Sequence, residues 1–108
     1  MRKVLALVLL AASTGAAAQT TTSPVPIKQL VAGWGYDSFS ISIGTALPNP
    51  AGCPSNDMAV VSLDSPGYKT YYAAALTAFN SDSPVSLVLS NTACEGPRPR
   101  IIGIQLGH

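Results

Sequence analysis

The stretch Gly33-Trp34-Gly35-Tyr36-Asp37 has the composition of a surface binding site. Two aromatic rings in a glycine-rich turn can present flat faces to a sugar or a base, and a carboxylate can accept hydrogen bonds from hydroxyl groups. A competing interpretation is that Trp34 folds back over a small core while Tyr36 is an ordinary turn residue. Trp34, Tyr36 and Asp37 are therefore the candidate ligand-binding residues, with the burial of Trp34 left open.

Ser38, Ser40 and Ser42 follow this turn at alternate positions, which would place three hydroxyl groups on one face of a strand. Such a row can bind a polyol ligand. The solvated outer surface of a sheet explains the same pattern, and we favour that interpretation.

The titratable residues give little support for catalysis. His108 is the single histidine, no G-x-S-x-G motif is present, and the five carboxylates show no motif spacing. We therefore predict a non-enzymatic protein with no catalytic residue and no cofactor.

Residues 1–18 have the features of an export signal. Arg2 and Lys3 precede an apolar run over residues 4–12, and Ala16 and Ala18 offer a small-residue cleavage site. The run is far shorter than the roughly 20 residues that span a bilayer, so no membrane span is expected. We predict a signal peptide over residues 1–18, a flexible lead-in over residues 19–26 and one domain over residues 27–107. The predicted localisation is exported, either periplasmic or secreted.

Cys53 and Cys94 are the two cysteines of the chain. In an exported chain an even number of cysteines favours a disulfide, and closing a loop of about 42 residues would stabilise a small domain by roughly 4 kcal/mol. The alternatives are two free thiols or a metal pair. A single histidine leaves too few ligands for the usual zinc sites, so we predict a disulfide and no metal site.

Removal of residues 1–18 would leave four basic residues against five acidic ones, a net charge of −1. Arg98 and Arg100 form the one local basic pair. Binding of single-stranded nucleic acid needs a positively charged groove lined with aromatic residues, which this composition does not supply. We therefore predict no nucleic-acid partner.

Apolar alternation and turn residues predict five strands, over residues 27–32, 38–43, 57–63, 85–90 and 100–106. Two loops rich in proline and polar residues, 47–56 and 91–99, carry the two cysteines.

Residues 63–90 predict a helix that leads directly into a strand. Ser65 suits the N-cap, Pro66 suits the first helical position, and residues 80–84 end the helix. Tyr71 lies off the predicted apolar stripe and is a candidate for a subunit contact. The stripe recurs at helical spacing and comprises Tyr68, Tyr72, Ala75, Leu76 and Phe79.

The predicted fold is mainly β with one helix, in the order β-β-β-α-β-β, with one disulfide. This is the order of a five-stranded OB-like barrel or curled sheet, in which the helix plugs one end and loops at the rim bind ligands. An open mixed sheet with one helix packed across it has the same order of elements and remains an alternative.

The pattern CP…AVVSLDSPGYKTYYAAALTAFNSDSPVSLVLSNTAC…IIGIQL resembles small exported bacterial proteins related to the B subunit of subtilase cytotoxin and of typhoid-type toxins. In that family a Tyr- and Ala-rich helix is followed by a short turn and a "PV" strand, and a disulfide fastens an OB-fold that assembles into a pentamer. The resemblance covers residues 27–106 and is strongest from the helix to the following strand. It implies a toxin B-subunit-like, glycan-binding homo-oligomer, but it transfers no glycan-contacting residue.

These observations predict a non-enzymatic exported binding module whose partner is a cell-surface glycan or protein. The alternative is a periplasmic or secreted structural or inhibitory protein that acts through protein–protein contacts.

Overall fold

The computed structural model describes residues 18–33 and 35–107. The elements are β1 (Gln19–Thr21), β2 (Gln29–Ala32), β3 (Ser38–Ser42), β4 (Ala59–Ser62), α1 (Tyr68–Ser81), β5 (Val85–Glu95) and β6 (Arg98–Leu106). The described residues are mainly β with one helix, as the sequence predicts.

The six strands form one mixed sheet in the order β1-β5-β6-β4-β3-β2. β4 and β6 run parallel, and all other neighbours are antiparallel. The prediction of a five-stranded OB-like barrel or curled sheet is confirmed in part: the sheet has a sixth strand and its two edges do not close, which agrees with the alternative of an open mixed sheet. The sixth strand is β1, which comes from the lead-in and pairs with β5 through three residues. So short a strand gives no readable alternation in the sequence.

β5 is longer than predicted, because residues 91–95 continue it instead of forming a loop. Cys94 pairs with Pro99 and Glu95 pairs with Arg98, so residues 96 and 97 form the turn of a long hairpin. The polar composition of residues 91–99 predicted a loop. Pairing with β6 outweighs that local preference, and a register shift between Leu89 and Cys94 accommodates the irregular sequence.

The helix begins later than predicted, at Tyr68, after a turn in which the Ser65 carbonyl accepts a hydrogen bond from the Tyr68 N–H at 3.0 Å. Ser65 is therefore not the N-cap. Gly67 occupies that position, where a Cβ would lie 2.3 Å from Cζ of Tyr71. The close approach of the Tyr71 ring thus requires glycine at the helix start.

The buried face of α1 also differs from the predicted stripe. Leu76 and Phe79 are 38% and 43% exposed, whereas Ala75 and Ala78 are fully buried. Tyr71, predicted to point away, is half-buried, and its hydroxyl donates to the Ile102 carbonyl at 2.8 Å. The stripe is confirmed at Tyr68, Tyr72 and Ala75, which pack on the core, and is wrong at Leu76 and Phe79. Close packing of the helix on the sheet places the small Ala78 at the contact instead.

The core lies between α1 and one face of the sheet. On β3, Phe39 and Ile41 are fully buried there, and the Phe39 ring centroid lies 5.7 Å from that of Tyr68 and 5.3 Å from that of Tyr72. The other buried members of this cluster are Ile27, Leu47, Ala59, Val61, Ala75, Ala78, Val85, Leu87, Leu89 and Ile101.

The disulfide between Cys53 and Cys94 is confirmed, with a Cα–Cα distance of 5.9 Å across a sequence separation of 41. A disulfide is compatible with an exported protein. The export signal predicted over residues 1–18 lies outside the described residues except for Ala18. No helix within the described ranges is long and apolar enough to cross a membrane.

Candidate functional site

The candidate site is a cavity of about 470 Å3 on the face of β3 and β4 that points away from the helix. A volume of this size lies within the range of roughly 300–1,000 Å3 that is usual for small-molecule sites. The cavity is lined by Tyr36, Ser38, Ser40, Asp57, Met58, Val60, Glu95, Pro97 and Arg98.

Strand pairing explains why these side chains meet. Ser40 lies opposite Val60 in the β3–β4 register, and Val60 lies opposite Arg100 in the β4–β6 register. Because side chains alternate along a strand, Ser38 and Arg98 share the face of Ser40 and Arg100. The sheet thus presents hydroxyl groups, an apolar floor and a guanidinium group on one surface.

Ser38 and Ser40 are buried, at 3% and 7% exposure, which corrects the prediction of a solvated outer face. The cavity walls cover this face of β3. The Ser38 hydroxyl donates to the Tyr36 carbonyl at 3.4 Å.

The Ser40 hydroxyl is available to a ligand, because it has no hydrogen-bond partner among the described residues. Every fully buried side-chain oxygen or nitrogen in the described part of the chain has a hydrogen-bond partner. Because the Ser40 Oγ has no such partner, it is not fully buried and retains accessible surface. That surface faces the cavity that Ser40 lines.

The aromatic turn contributes one wall of the cavity. Gly33 and Gly35 have φ values of +83° and +91°, a conformation that favours glycine, and the Gly33 N–H donates to the Ser38 carbonyl at 2.7 Å. Tyr36 is 52% exposed and lines the cavity. Trp34, the second predicted aromatic, lies outside the described residues.

Asp37, the third predicted site residue, is exposed but is not part of the cavity lining. Its Oδ1 accepts a hydrogen bond from the Tyr68 hydroxyl at 3.3 Å. Desolvation and the charge of Asp37 raise the pKa of Tyr68 above its ordinary value of 10.0. The structure therefore brings Tyr36 to the cavity and directs Asp37 toward the helix.

An ion pair forms another part of the cavity lining. Arg98 Nε lies 2.8 Å from Asp57 Oδ1, and Arg98 Nη2 lies 3.2 Å from Asp57 Oδ2, which is a bidentate contact. The hydrogen bond from Arg98 lowers the pKa of Asp57, and the same bond raises the pKa of Arg98. Both groups are thus charged at neutral pH.

Three links hold the loop before β4 against the β5–β6 hairpin. They are the Cys53–Cys94 disulfide, the hydrogen bond from the Ser55 N–H to the Pro97 carbonyl at 2.9 Å, and the Asp57–Arg98 pair. These links join the two segments that supply Asp57, Met58, Glu95, Pro97 and Arg98 to the cavity lining.

Glu95 lines this cavity and also an adjoining one of about 220 Å3. Its Oε1 accepts a hydrogen bond from Arg100 Nε at 3.2 Å, and Arg100 Nη2 also donates to the Cys94 carbonyl at 3.4 Å. Arg98 and Arg100, the local basic pair of the sequence, are therefore each paired with a carboxylate.

Asp57, Met58, Glu95, Pro97 and Arg98 were missed as site residues because they lie far from the aromatic turn in sequence. The sequence shows Arg98 and Arg100 on either side of Pro99, but nothing in it indicates that Asp57 pairs with Arg98. No group of three or more His, Cys, Asp or Glu side chains suited to a metal ion occurs in the described part of the chain.

No protein-family model, curated protein or solved structure matches the chain in sequence or structure comparisons.

Proposed function

We propose that this protein is a non-enzymatic exported binding module whose cavity takes a hydroxylated ligand, with a cell-surface glycan as the leading class. The partly exposed ring of Tyr36 offers a flat apolar face, and the Asp57–Arg98 pair offers acceptors and donors in the same cavity. A sugar ring has apolar and hydroxylated surfaces that match this arrangement.

The observation that carries the proposal is the available hydroxyl of Ser40 on the floor of the cavity. Buried polar groups in proteins usually have hydrogen-bond partners, and a ligand hydroxyl group would supply the partner that the described residues do not.

The order of neighbouring strands in the sheet supports the proposal that the domain is OB-like. In five-stranded OB-folds, ligands bind on the face of the second and third strands and at the adjoining loops. If β2 is counted as the first of five strands, β3 and β4 are the second and third, and the cavity lies on their face. The chain from β1 to β2 runs from one sheet edge to the other, with a bridge between Val25 and Val85 on the way.

A glycan array with four variants tests the proposal. Tyr36→Ala should weaken binding about tenfold by removing the stacking ring, and Trp34→Ala tests the second aromatic of the turn. Ser40→Ala should weaken binding about three- to tenfold by removing one hydrogen bond. Ser86→Ala is the matched control, because Ser86 lies on β5 and does not line the cavity.

The urea unfolding midpoint of each variant shows whether it folds as the wild type does. The proposal is contradicted if the wild type binds no glycan, or if Ser40→Ala and Tyr36→Ala bind as tightly as Ser86→Ala.

A second candidate function is contact with other proteins, either structural or inhibitory. The exposed side chains of Leu76 and Phe79 favour it, because residues three apart lie on one face of a helix. Lys69 is the one charged residue of α1, so this face carries little charge. Fluorescence of Trp34 separates the two functions, since a buried indole that does not respond to glycans would favour protein contacts.

A further inference from the structure

We infer that the Asp57–Arg98 pair makes the cavity selective for uncharged hydroxylated ligands and causes it to reject their carboxylated counterparts. This inference rests on the proposed function of the same cavity and specifies the class of ligand.

The charges that line the cavity do not favour an anion. Asp57 and Glu95 contribute two negative charges, and Arg98 contributes one positive charge. Arg100 offsets Glu95 through the contact of 3.2 Å. The lining therefore has no surplus of positive charge, even when Arg100 is counted.

The guanidinium of Arg98 is already occupied by a carboxylate. Nε and Nη2 bind the two oxygens of Asp57, so one of the two bidentate edges of the guanidinium is filled, and a carboxylate on the remaining Nη1–Nη2 edge would share Nη2 with Asp57. An anionic ligand would have to displace Asp57 or bind beside it. Displacement breaks a formed pair, and binding beside it brings two like charges together.

A neutral hydroxyl group meets no such conflict. It can donate to a remaining lone pair of Asp57 and accept from an N–H of Arg98 that does not point at Asp57. The side chains of Asp57 and Arg98 are 61% and 30% exposed, so both can be reached without opening the pair. Asp57 is thus a specificity-determining residue.

The experiment uses an array of neutral oligosaccharides paired with derivatives in which one hydroxymethyl group is oxidised to a carboxylate. The wild type should bind the neutral member of each pair at least about tenfold more tightly. Asp57→Asn frees the guanidinium and removes one negative charge, so it should reduce this ratio about tenfold or invert it. Arg98→Gln leaves Asp57 unpaired and should increase the ratio.

The outcomes separate this inference from the proposal on which it rests. Equal or tighter binding of the oxidised members by the wild type overturns the inference and leaves glycan binding intact. An unchanged ratio in Asp57→Asn, with a wild-type circular dichroism spectrum, also overturns it. Binding of neither member of any pair overturns both the inference and the proposed function.

Discussion

Asp37 is predicted from the sequence to bind a ligand, but in the folded chain its carboxylate contacts the Tyr68 hydroxyl. The Asp37 carboxylate accepts a hydrogen bond from the Tyr68 hydroxyl, and the Tyr68 ring packs against Phe39. Burial disfavours the charged phenolate, and the neighbouring negative charge disfavours it further. Asp37 therefore stabilises the neutral form of a core tyrosine.

We expect Tyr68 to titrate above its ordinary pKa of 10.0. Since the folded pKa is raised, the neutral form contributes stability that is fully present below the unfolded pKa and is lost as pH rises through the folded value. Difference absorbance between the wild type and Tyr68→Phe measures this titration directly. Asp37→Asn should lower the pKa of Tyr68 but leave it raised, because desolvation is the larger cause.

A difference spectrum with a midpoint at or below the ordinary tyrosine value would contradict this account. An identical midpoint in Asp37→Asn would show that the carboxylate does not act on Tyr68.

Ser40 and Tyr36 both line the cavity, although the sequence favoured a solvated outer face for Ser40. The sequence placed Tyr36 in a turn, and alternation placed Ser40 on one face of a strand. Whether that face is solvated or covered depends on Asp57, Met58 and Pro97, which reach it from other parts of the chain. No local pattern contains that information.

At the scale of elements, the part of the cavity lining formed by residues 57–58 and 95–98 depends on how the loop before β4 is joined to the β5–β6 hairpin. A single hydrogen bond contributes about 1 kcal/mol, and an exposed ion pair contributes about 0–1 kcal/mol. The Cys53–Cys94 disulfide is therefore the strongest of the three links.

Replacing both cysteines, as Cys53→Ala with Cys94→Ala, should destabilise the domain by about 2–5 kcal/mol, because the unfolded chain gains conformational freedom. It should also weaken ligand binding, because Asp57 and Met58 lose their fixed position relative to Arg98. Urea unfolding and the glycan array measure the two effects separately. Wild-type protein treated with a thiol reductant is the matched control for the loss of the bond alone.

Affinity should be measured below the temperature at which the double variant begins to unfold. An unchanged urea midpoint would contradict the predicted stabilisation. A folded variant with wild-type affinity would show that the disulfide does not position the cavity wall.

At the scale of the whole molecule, the resemblance to toxin B subunits implies a pentamer. Leu63, Leu76, Phe79 and Leu106 are large apolar side chains that a single chain leaves exposed. Burial of such surface is the main favourable contribution to subunit association.

Size-exclusion chromatography with light scattering should therefore give five times the mass of one chain. A repeat of the measurement across a dilution series is the control for weak association, since the mass of a stable ring does not change on dilution. The mass of a single chain at all concentrations would contradict the pentamer and leave the cavity to act in a monomer.

The sequence by itself determined the disulfide, the mainly β composition and the helix between the strands now labelled β4 and β5. These features depend on local quantities: the number of cysteines, the spacing of apolar residues and the positions of turn residues. The aromatic turn and the serine row were also visible as candidate site elements.

Tertiary structure alone decided the sixth strand, the buried face of α1, the length of β5 and the shape of the site. β1 exists because its backbone pairs with β5, and small Ala75 and Ala78 are buried because the helix lies close to the sheet. Asp57 and Arg98 meet across 41 positions of sequence because parallel pairing of β4 with β6 brings the residues just before β4 close to the start of β6. Long-range pairing and packing are properties of the whole chain, and no single stretch of sequence encodes them.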